Sequence, residues 1–83
     1  MLTWEEHHDG LKCRIRFASY DQVLAFICLL AFEAERINHH PDLHWHYTTL
    51  DVRLVTHDSR NSITEKDWRL AKSIIEIYAR FQV

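Results

Sequence analysis

The chain has 83 residues, of which 47% are hydrophobic, and its formal net charge is −2. This length suffices for one domain, residues 1–83, and the balanced charge lacks the basic surplus that a nucleic-acid-binding surface requires. We therefore expect no direct contact with nucleic acid, and we expect the large apolar content to be buried partly in a homo-oligomer.

The first predicted element is a β-hairpin. Residues 2–8 form a short strand, and Asp9-Gly10 is a dipeptide favoured in two-residue type I′ turns because both residues tolerate positive φ. Beyond this turn, apolar and basic residues alternate, which predicts a second strand with one buried face. Its apolar residues are Leu11, Cys13, Ile15 and Phe17.

The second predicted element is a helix from Ser19 to Arg36. Ser19 and Gln22 have the spacing of a capping box, and the helix must stop before Pro41. Apolar residues recur along it at helical spacing: Val23, Phe26, Ile27, Leu30, Ala31, Ala34 and Ile37.

Two further strands form a second hairpin with a turn near Thr48-Thr49. One alternates apolar residues with histidines (Leu43, His44, Trp45, His46, Tyr47), and the other alternates Leu50, Val52 and Leu54 with Asp51, Arg53 and Val55.

A final helix follows a polar loop at 58–61. Thr64 caps this helix, Asp67 lies three residues on, and an apolar stripe follows: Trp68, Ala71, Ile74, Ile75 and Tyr78. The order ββαββα predicts an α+β two-layer sandwich, with a four-stranded antiparallel sheet and two helices on one of its faces.

Seven histidines are the unusual feature of the composition. His39 and His40 follow the first helix on a loop stiffened by Pro41. His57 ends the fourth strand in phase with Asp51 and its outward neighbours, so we expect it to point away from the core. Because imidazole titrates near neutrality, two histidines can supply an acid and a base together, which is what removal of water requires.

Other interpretations of these residues remain open. The histidines can be solvent-exposed loop residues, Asp67 can serve only as a helix cap, and the three tryptophans are typical of a core or an interface. A zinc site is a further alternative, because His44 and His46 share a strand face and, with His39, His40 and His57, could supply three nitrogen ligands. There is no HExxH motif and no cysteine near this cluster, so we expect neither metal nor cofactor.

Positions 1–8 lack the basic start and apolar run of a signal peptide, and the longest apolar stretch, 23–32, is too short to span a bilayer. Cys13 and Cys28 show neither CxxC spacing nor a disulfide pattern. We therefore expect a cytoplasmic protein with reduced thiols and no membrane contact.

One long, irregularly spaced set of residues is more specific. Glu35 is followed after three residues by His39-His40-Pro41, after five more by Tyr47, after nine by His57 and after nine by Asp67. With the adjoining ITEKDWRLA segment, this pattern resembles the signature of the pterin-4a-carbinolamine dehydratase family, and the resemblance extends from Trp4 onward.

The resemblance implies dehydration of 4a-hydroxytetrahydropterin to quinonoid dihydropterin, which regenerates the cofactor of aromatic amino-acid hydroxylases. It assigns catalysis to His39, His40 and His57, with proton transfers at His39 and His57 and pterin holding at His40. Glu35 would orient His39 or a pterin nitrogen, and the remaining substrate-binding residues are Asn38, Pro41, Thr56 and Asp58.

The family fold, ββαββα with sheets joined across a dimer, agrees with the pattern along the chain. Longer members have an additional N-terminal helix, whereas this sequence begins almost at its first strand, which leaves dimer and tetramer both open. Two alternatives remain: a non-enzymatic dimeric protein-interaction module, and the same chemistry on a molybdopterin-related pterin.

Overall fold

The structure, a computed structural model, describes residues 2–60 and 62–81, so Asn61 of the predicted polar loop lies outside the described residues. Within this part, four strands and two α-helices follow the order ββαββα, which confirms the predicted α+β class. The elements are β1 (Glu5–His7), β2 (Gly10–Arg16), α1 (Tyr20–Ile37), β3 (Asp42–His46), β4 (Thr49–Leu54) and α2 (Glu65–Tyr78). Two 3₁₀ turns follow β4 and α2, at His57–Ser59 and Ala79–Phe81.

The strands form one antiparallel sheet in the order β1-β2-β4-β3. The central pair, β2 and β4, runs in register from Leu11 opposite Leu54 to Arg16 opposite Thr49. Both strands alternate buried and more exposed residues as predicted, because only one of their faces is covered by helices.

The core lies between this covered face and the two helices. Its fully buried members from the sheet and the helices pack as one cluster: Leu11, Ile15, Val23, Phe26, Leu30, Leu50, Leu54, Leu70 and Ile74. The opposite face of the sheet carries the charged and histidine side chains, and no helix covers it within the described residues.

Both hairpin turns lie one residue earlier than predicted. His7 pairs with Gly10, so the first turn is His8–Asp9, and Gly10 begins β2 with a φ of 140°. A Cβ on Gly10 would lie 2.7 Å from the Leu54 carbonyl oxygen, so the glycine permits close approach of β2 to β4 rather than the turn itself.

The second turn is formed by Tyr47 and Thr48, since His46 pairs with Thr49. Tyr47 adopts a φ of 51°, and its carbonyl accepts a hydrogen bond of 2.7 Å from the Trp45 indole nitrogen. This side-chain bond helps to hold a left-handed residue that the sequence does not mark with glycine.

The capping predicted for the two helix starts is found at α2 but not at α1. Ser19 lies at the N-cap of α1 but makes no side-chain capping bond, and Gln22 Oε1 instead accepts from the Ala18 amide at 3.2 Å. The predicted capping box of α1 is therefore wrong. At α2, the capping box of Thr64 and Asp67 is present.

The predicted apolar stripe of α2 is partly wrong. Leu70, Ala71 and Ile74 are buried, whereas Trp68 and Ile75 are 46% and 40% exposed. The buried stripe of α2 therefore consists of Asp67, Leu70, Ala71 and Ile74, and Asp67 is its one polar member.

Cys13 is buried and Cys28 is exposed, and both are free. Burial raises the pKa of the Cys13 thiol. Among the described residues, no helix combines the length and the apolar character needed to cross a membrane.

Candidate active site

The end of α1 fixes the direction in which His39 leaves the helix. Asn38 adopts the left-handed conformation, with φ 54° and ψ 45°. Its amide donates to the Glu35 carbonyl at 3.2 Å, and the His39 amide donates to the Ala34 carbonyl at 3.0 Å. These two bonds form a Schellman motif, which satisfies the last carbonyls of the helix and anchors the backbone of His39.

The start of α2 supplies a buried carboxylate opposite this loop. Asp67 is fully buried, and its Oδ2 accepts from the Thr64 amide at 2.9 Å and from the Thr56 hydroxyl at 2.8 Å. A buried charge is tolerated only when donors surround it, so these contacts make the position of the carboxylate well defined.

The third partner of this carboxylate is His39. His39 Nε2 lies 2.6 Å from Asp67 Oδ1, and the His39 side chain is 11% exposed. An ionised carboxylate can only accept hydrogen bonds, so the proton belongs on Nε2 and the lone pair of the neutral ring belongs on Nδ1. Asp67 therefore orients the imidazole and selects its tautomer.

Thr56 connects this pair to the end of β4. Its hydroxyl donates to Asp67, and it lies 2.6 Å from the Thr64 hydroxyl. Because the single hydroxyl proton of Thr56 is used on Asp67, Thr64 donates to Thr56. His57 directly follows Thr56 in the chain, so its backbone begins close to the His39–Asp67 pair.

The strand phase predicted for His57 is wrong. β4 ends at Leu54, Val55 is 2% exposed rather than outward, and His57 begins a 3₁₀ turn with an exposed side chain. The change of conformation occurs where the Thr56 amide bonds to the Ser62 carbonyl at 2.9 Å, which closes the loop after the sheet has ended.

His40 and Glu35 form a second, more exposed pair. His40 Nε2 lies 2.9 Å from Glu35 Oε1, and the two side chains are 58% and 80% exposed. Glu35 therefore contacts His40 and not His39, whose contact is with Asp67, and the other role expected for Glu35, at a pterin nitrogen, stays a prediction.

A depression of about 360 Å³ lies next to two residues that bond to Asp67, Thr56 and Thr64, but neither Asp67 nor any of the three predicted catalytic histidines is among the described residues that line it. It is lined by Thr56, Asp58, Thr64, Glu65 and Lys66, so it brings two of the predicted substrate-binding residues, Thr56 and Asp58, to one place. Pro41 is half-buried on the loop between His40 and β3.

A larger depression, about 740 Å³, lies on the uncovered face of the sheet. Its described lining contains none of the predicted dehydratase residues, and its charged side chains are largely paired with one another. We place the candidate site at the His39–Asp67 pair, next to the smaller depression, because hydrogen-bond geometry at a buried acid–histidine pair is more informative about chemistry than size.

The histidines do not gather into the zinc site that the sequence leaves open. His39 contacts Asp67, His40 contacts Glu35, and His44 stacks on His46. Within residues 2–60 and 62–81, no group of three or more His, Cys, Asp or Glu side chains is arranged to hold a metal ion.

Asp67 is the residue whose role the sequence pattern understates. Its position in the first turn of α2 is explained fully by capping, so local reasoning assigns it nothing more. The signal that could have indicated its role is its place as the last member of the spaced signature. Its contact with His39 spans 28 positions and becomes visible only in three dimensions.

These features define the class of the protein: a small α+β sandwich with a histidine and a buried carboxylate where a helix exit, a strand end and a helix start meet. The chain belongs to the pterin-4a-carbinolamine dehydratase family, since the family model described as "Pterin 4 alpha carbinolamine dehydratase" matches residues 1–77.

Curated relatives agree with this assignment. A protein of Opitutus terrae is 39% identical over 74 residues, covering 89% of this chain and 76% of its own length. A protein of Chloroflexus aurantiacus is 36% identical over 74 residues, covering 89% and 78%. Both are named, provisionally, as pterin-4-alpha-carbinolamine dehydratases.

Solved structures show the same fold. The transcriptional coactivator/pterin dehydratase from Brucella melitensis has a TM-score of 0.83 and 29% identity, covering 89% of this chain and 80% of that one. A pterin dehydratase-like protein identified as a RuBisCO assembly factor in the alpha-carboxysome has a TM-score of 0.73 over 90% and 88% of the chains. At 23% identity, the second likeness is one of fold alone.

Proposed function

We propose that the chain is a 4a-hydroxytetrahydropterin dehydratase, a hydro-lyase that forms quinonoid dihydropterin by histidine acid–base catalysis. The observation that carries the proposal is the 2.6 Å contact between His39 Nε2 and the buried carboxylate of Asp67. A carboxylate that holds one imidazole nitrogen leaves the other available for proton transfer, as in the histidines of hydrolase triads.

In the proposed reaction, the C4a–O bond breaks while the departing hydroxyl takes a proton from one imidazole and leaves as water. The adjacent ring nitrogen gives its proton to a second imidazole, and its electron pair forms the C=N double bond. Exchange of protons with solvent then restores both imidazoles. General acid–base catalysis of this kind contributes about 10²- to 10⁴-fold to the rate.

We assign the two proton transfers to His39 and His57. Support for the pair is the hydrogen-bond chain from His39 through Asp67 to Thr56, the residue before His57. Asp67 acts as a positioning residue, because it reaches the substrate only through the His39 ring. The product, once reduced, would return to aromatic amino-acid hydroxylases as their cofactor.

We assign pterin binding to His40 with Glu35, and to Asn38, Pro41, Thr56 and Asp58. The exposed His40–Glu35 pair offers a ring edge and a carboxylate that can bond the polar edge of a pterin. Thr56 and Asp58 support this assignment because both line the smaller depression. Asn38 and Pro41 would act by shaping the loop that carries both histidines.

The test is stopped-flow observation of 4a-hydroxytetrahydropterin loss with purified protein. We expect acceleration over buffer, and a reduction of about 10²-fold or more for His39→Ala and for His57→Ala. His44→Ala, a matched histidine replacement on the uncovered sheet face, should keep the wild-type rate. Absence of acceleration, or full activity in both His39→Ala and His57→Ala, would overturn the proposal.

The same assay addresses the substrate alternative. Under the proposal, a tetrahydrobiopterin-derived carbinolamine is dehydrated faster than a molybdopterin-related one. The reverse preference, with the same loss of rate in His39→Ala, would keep the chemistry and reassign the substrate.

A second candidate function, as a non-enzymatic dimeric protein-interaction module, is favoured by one observation. The outer face of α1 exposes large apolar side chains, with Phe32 78% and Leu24 50% exposed. Such surface is normally covered by a partner. Light scattering after gel filtration should give a mass above the 10.0 kDa of one chain and a lower mass for Phe32→Glu. A monomer at all concentrations would contradict this association.

A further inference from the structure

The hydroxyl groups of two threonines connect the start of α2 to the buried carboxylate that contacts His39. Thr56 Oγ1 lies 2.8 Å from Asp67 Oδ2 and 2.6 Å from Thr64 Oγ1. Thr56 is 3% exposed, Asp67 is fully buried and Thr64 is half-buried. Water therefore competes little for these hydrogen bonds, which are stronger in such surroundings than at the surface.

The direction of each hydrogen bond is fixed, because a hydroxyl has only one proton. Thr64 Oγ1 accepts from the Lys66 amide at 3.3 Å and from the Asp67 amide, which completes the capping box. The Thr64 hydroxyl then donates to Thr56, and the Thr56 hydroxyl donates to the carboxylate of Asp67, which only accepts. The bonds run in one direction, from the first amides of α2 to the carboxylate, and members of such a chain polarise one another.

This chain of bonds determines which oxygen of Asp67 is left for His39. Oδ2 accepts from the Thr56 hydroxyl and from the Thr64 amide at 2.9 Å, whereas Oδ1 lies 2.6 Å from His39 Nε2. The last torsion of an aspartate side chain is broad when nothing holds it. Two donors from different segments, one after β4 and one at the start of α2, oppose its rotation, so Oδ1 stays directed at the imidazole.

We propose that Thr56 and Thr64 are positioning residues of the dehydration, because their hydroxyls hold Asp67 and, through it, the ring of His39. The inference rests on the proposed function, since it concerns the same acid–base site. Thr64 has no place in the predicted site, where it serves only as a helix cap. A displacement of about 1 Å can cost a reacting group about 10²-fold in rate, so the support of the ring matters for catalysis.

The experiment is measurement of kcat and KM for Thr56→Val, which removes the hydroxyl but keeps the shape of the side chain. We expect kcat to fall about 10-fold, the effect of one lost hydrogen bond to a charged group. KM should stay within about 2-fold, because the residue still fills its place at the smaller depression. Thr56→Ser restores the hydroxyl and should recover most of the rate.

A double-mutant cycle separates positioning from a general loss of stability. In the His39→Ala background, Thr56→Val should change the residual kcat by less than about 2-fold, because there is no ring left to position. A structural role would lower kcat by the same factor in both backgrounds. Thr49→Val, the same substitution at the other end of β4, is the matched control and should keep the wild-type kcat.

Thr64→Val is the second variant, and it should lower kcat by about 3-fold, because Thr56 keeps its own bond to Asp67. If circular dichroism shows that Thr56→Val does not fold, Thr64→Val alone and with His39→Ala gives the same decision. Unchanged kcat in the folded variant, an equal fall in the His39→Ala background, or a loss confined to KM would overturn the proposal. Any of these results, with wild-type activity that depends on His39, would leave the dehydratase standing, whereas a wild-type protein without activity would overturn both.

Discussion

Replacing Asp67 with asparagine keeps the size of the side chain but removes the charge that three donors share. Those donors are the Thr64 amide, the Thr56 hydroxyl and His39 Nε2, at 2.9, 2.8 and 2.6 Å. The single amide oxygen can still accept from the first two, because both bond to the same carboxylate oxygen. Each of these bonds becomes neutral and weaker by about 1 kcal/mol, for a loss of about 2 kcal/mol in all.

The side-chain amide nitrogen of the Asp67→Asn variant would then face His39 Nε2. Two donors cannot bond to one another, so Nε2 must become the acceptor and the proton must move to Nδ1. Nδ1, the nitrogen assigned to face the substrate, would then carry a proton and could no longer accept one. We expect the dehydration rate to fall about 10²-fold or more and the melting temperature to fall by about 8–16 °C.

Stopped-flow kinetics below the melting temperature of the variant measure the first effect, and thermal unfolding measures the second. Glu33→Gln is the matched control, since it is also an acid-to-amide change at a contact with α2, through the Ser73 hydroxyl at 3.0 Å. It should keep the wild-type rate. A folded Asp67→Asn protein with wild-type dehydration would refute the role assigned to the carboxylate.

Other contacts give three more expected outcomes. Gly10→Ala should lower the free energy of unfolding by about 1–3 kcal/mol, because the φ of Gly10 is 140° and the new Cβ would meet the Leu54 carbonyl oxygen. Urea titration measures this change, and an unchanged unfolding midpoint would contradict the expectation. His40→Ala should raise KM about 10-fold with little change in kcat, since it removes uniform binding, whereas a loss confined to kcat would make His40 a proton-transfer residue. Arg36, then Ser73, lower the pKa of Glu33 from 4.5 to about 2, so its stabilisation is present above about pH 4.5 and is lost toward pH 2. Unfolding midpoints from pH 5 to 2 should therefore fall more steeply for the wild type than for Glu33→Gln, and parallel curves would argue against that contribution.

The central strands and the first helix could be predicted from the sequence because their patterns are local. Alternation in β2 and β4 gives the buried face directly, since one face is covered and the other is not. The helical spacing in α1 similarly predicts its buried residues, including Phe26 and Leu30.

The misplaced features depend on contacts that local patterns do not contain. Asp9-Gly10 has turn chemistry, but the approach of β2 to Leu54 requires Gly10 inside the strand. Trp68 and Ile75 have the spacing of a stripe, yet the helix turns Leu70 inward, because which face is covered depends on the sheet beneath it.

In the candidate site, too, some features could be predicted from the sequence, and others depend on contacts that only the fold creates. The positions of His39 and His40 after α1 follow from the helix and Pro41, and the spaced signature indicates the family. The partners of the two rings, Asp67 and Glu35, require the fold, because ring orientation depends on the loop geometry set by Asn38. The side chain of His57 is exposed, but the strand phase used to predict this does not apply, because β4 ends at Leu54.

The central claim is that His39 and His57 act together on one pterin. The most direct measurement is a crystal structure of the protein with a bound reduced pterin, in which the distances from the two imidazoles to the pterin can be measured. The account predicts His39 Nδ1 and one nitrogen of His57 within about 3 Å of the hydroxyl on C4a or of the adjacent ring nitrogen. A pterin bound by only one of these rings, with the other directed into a separate cavity, would contradict it.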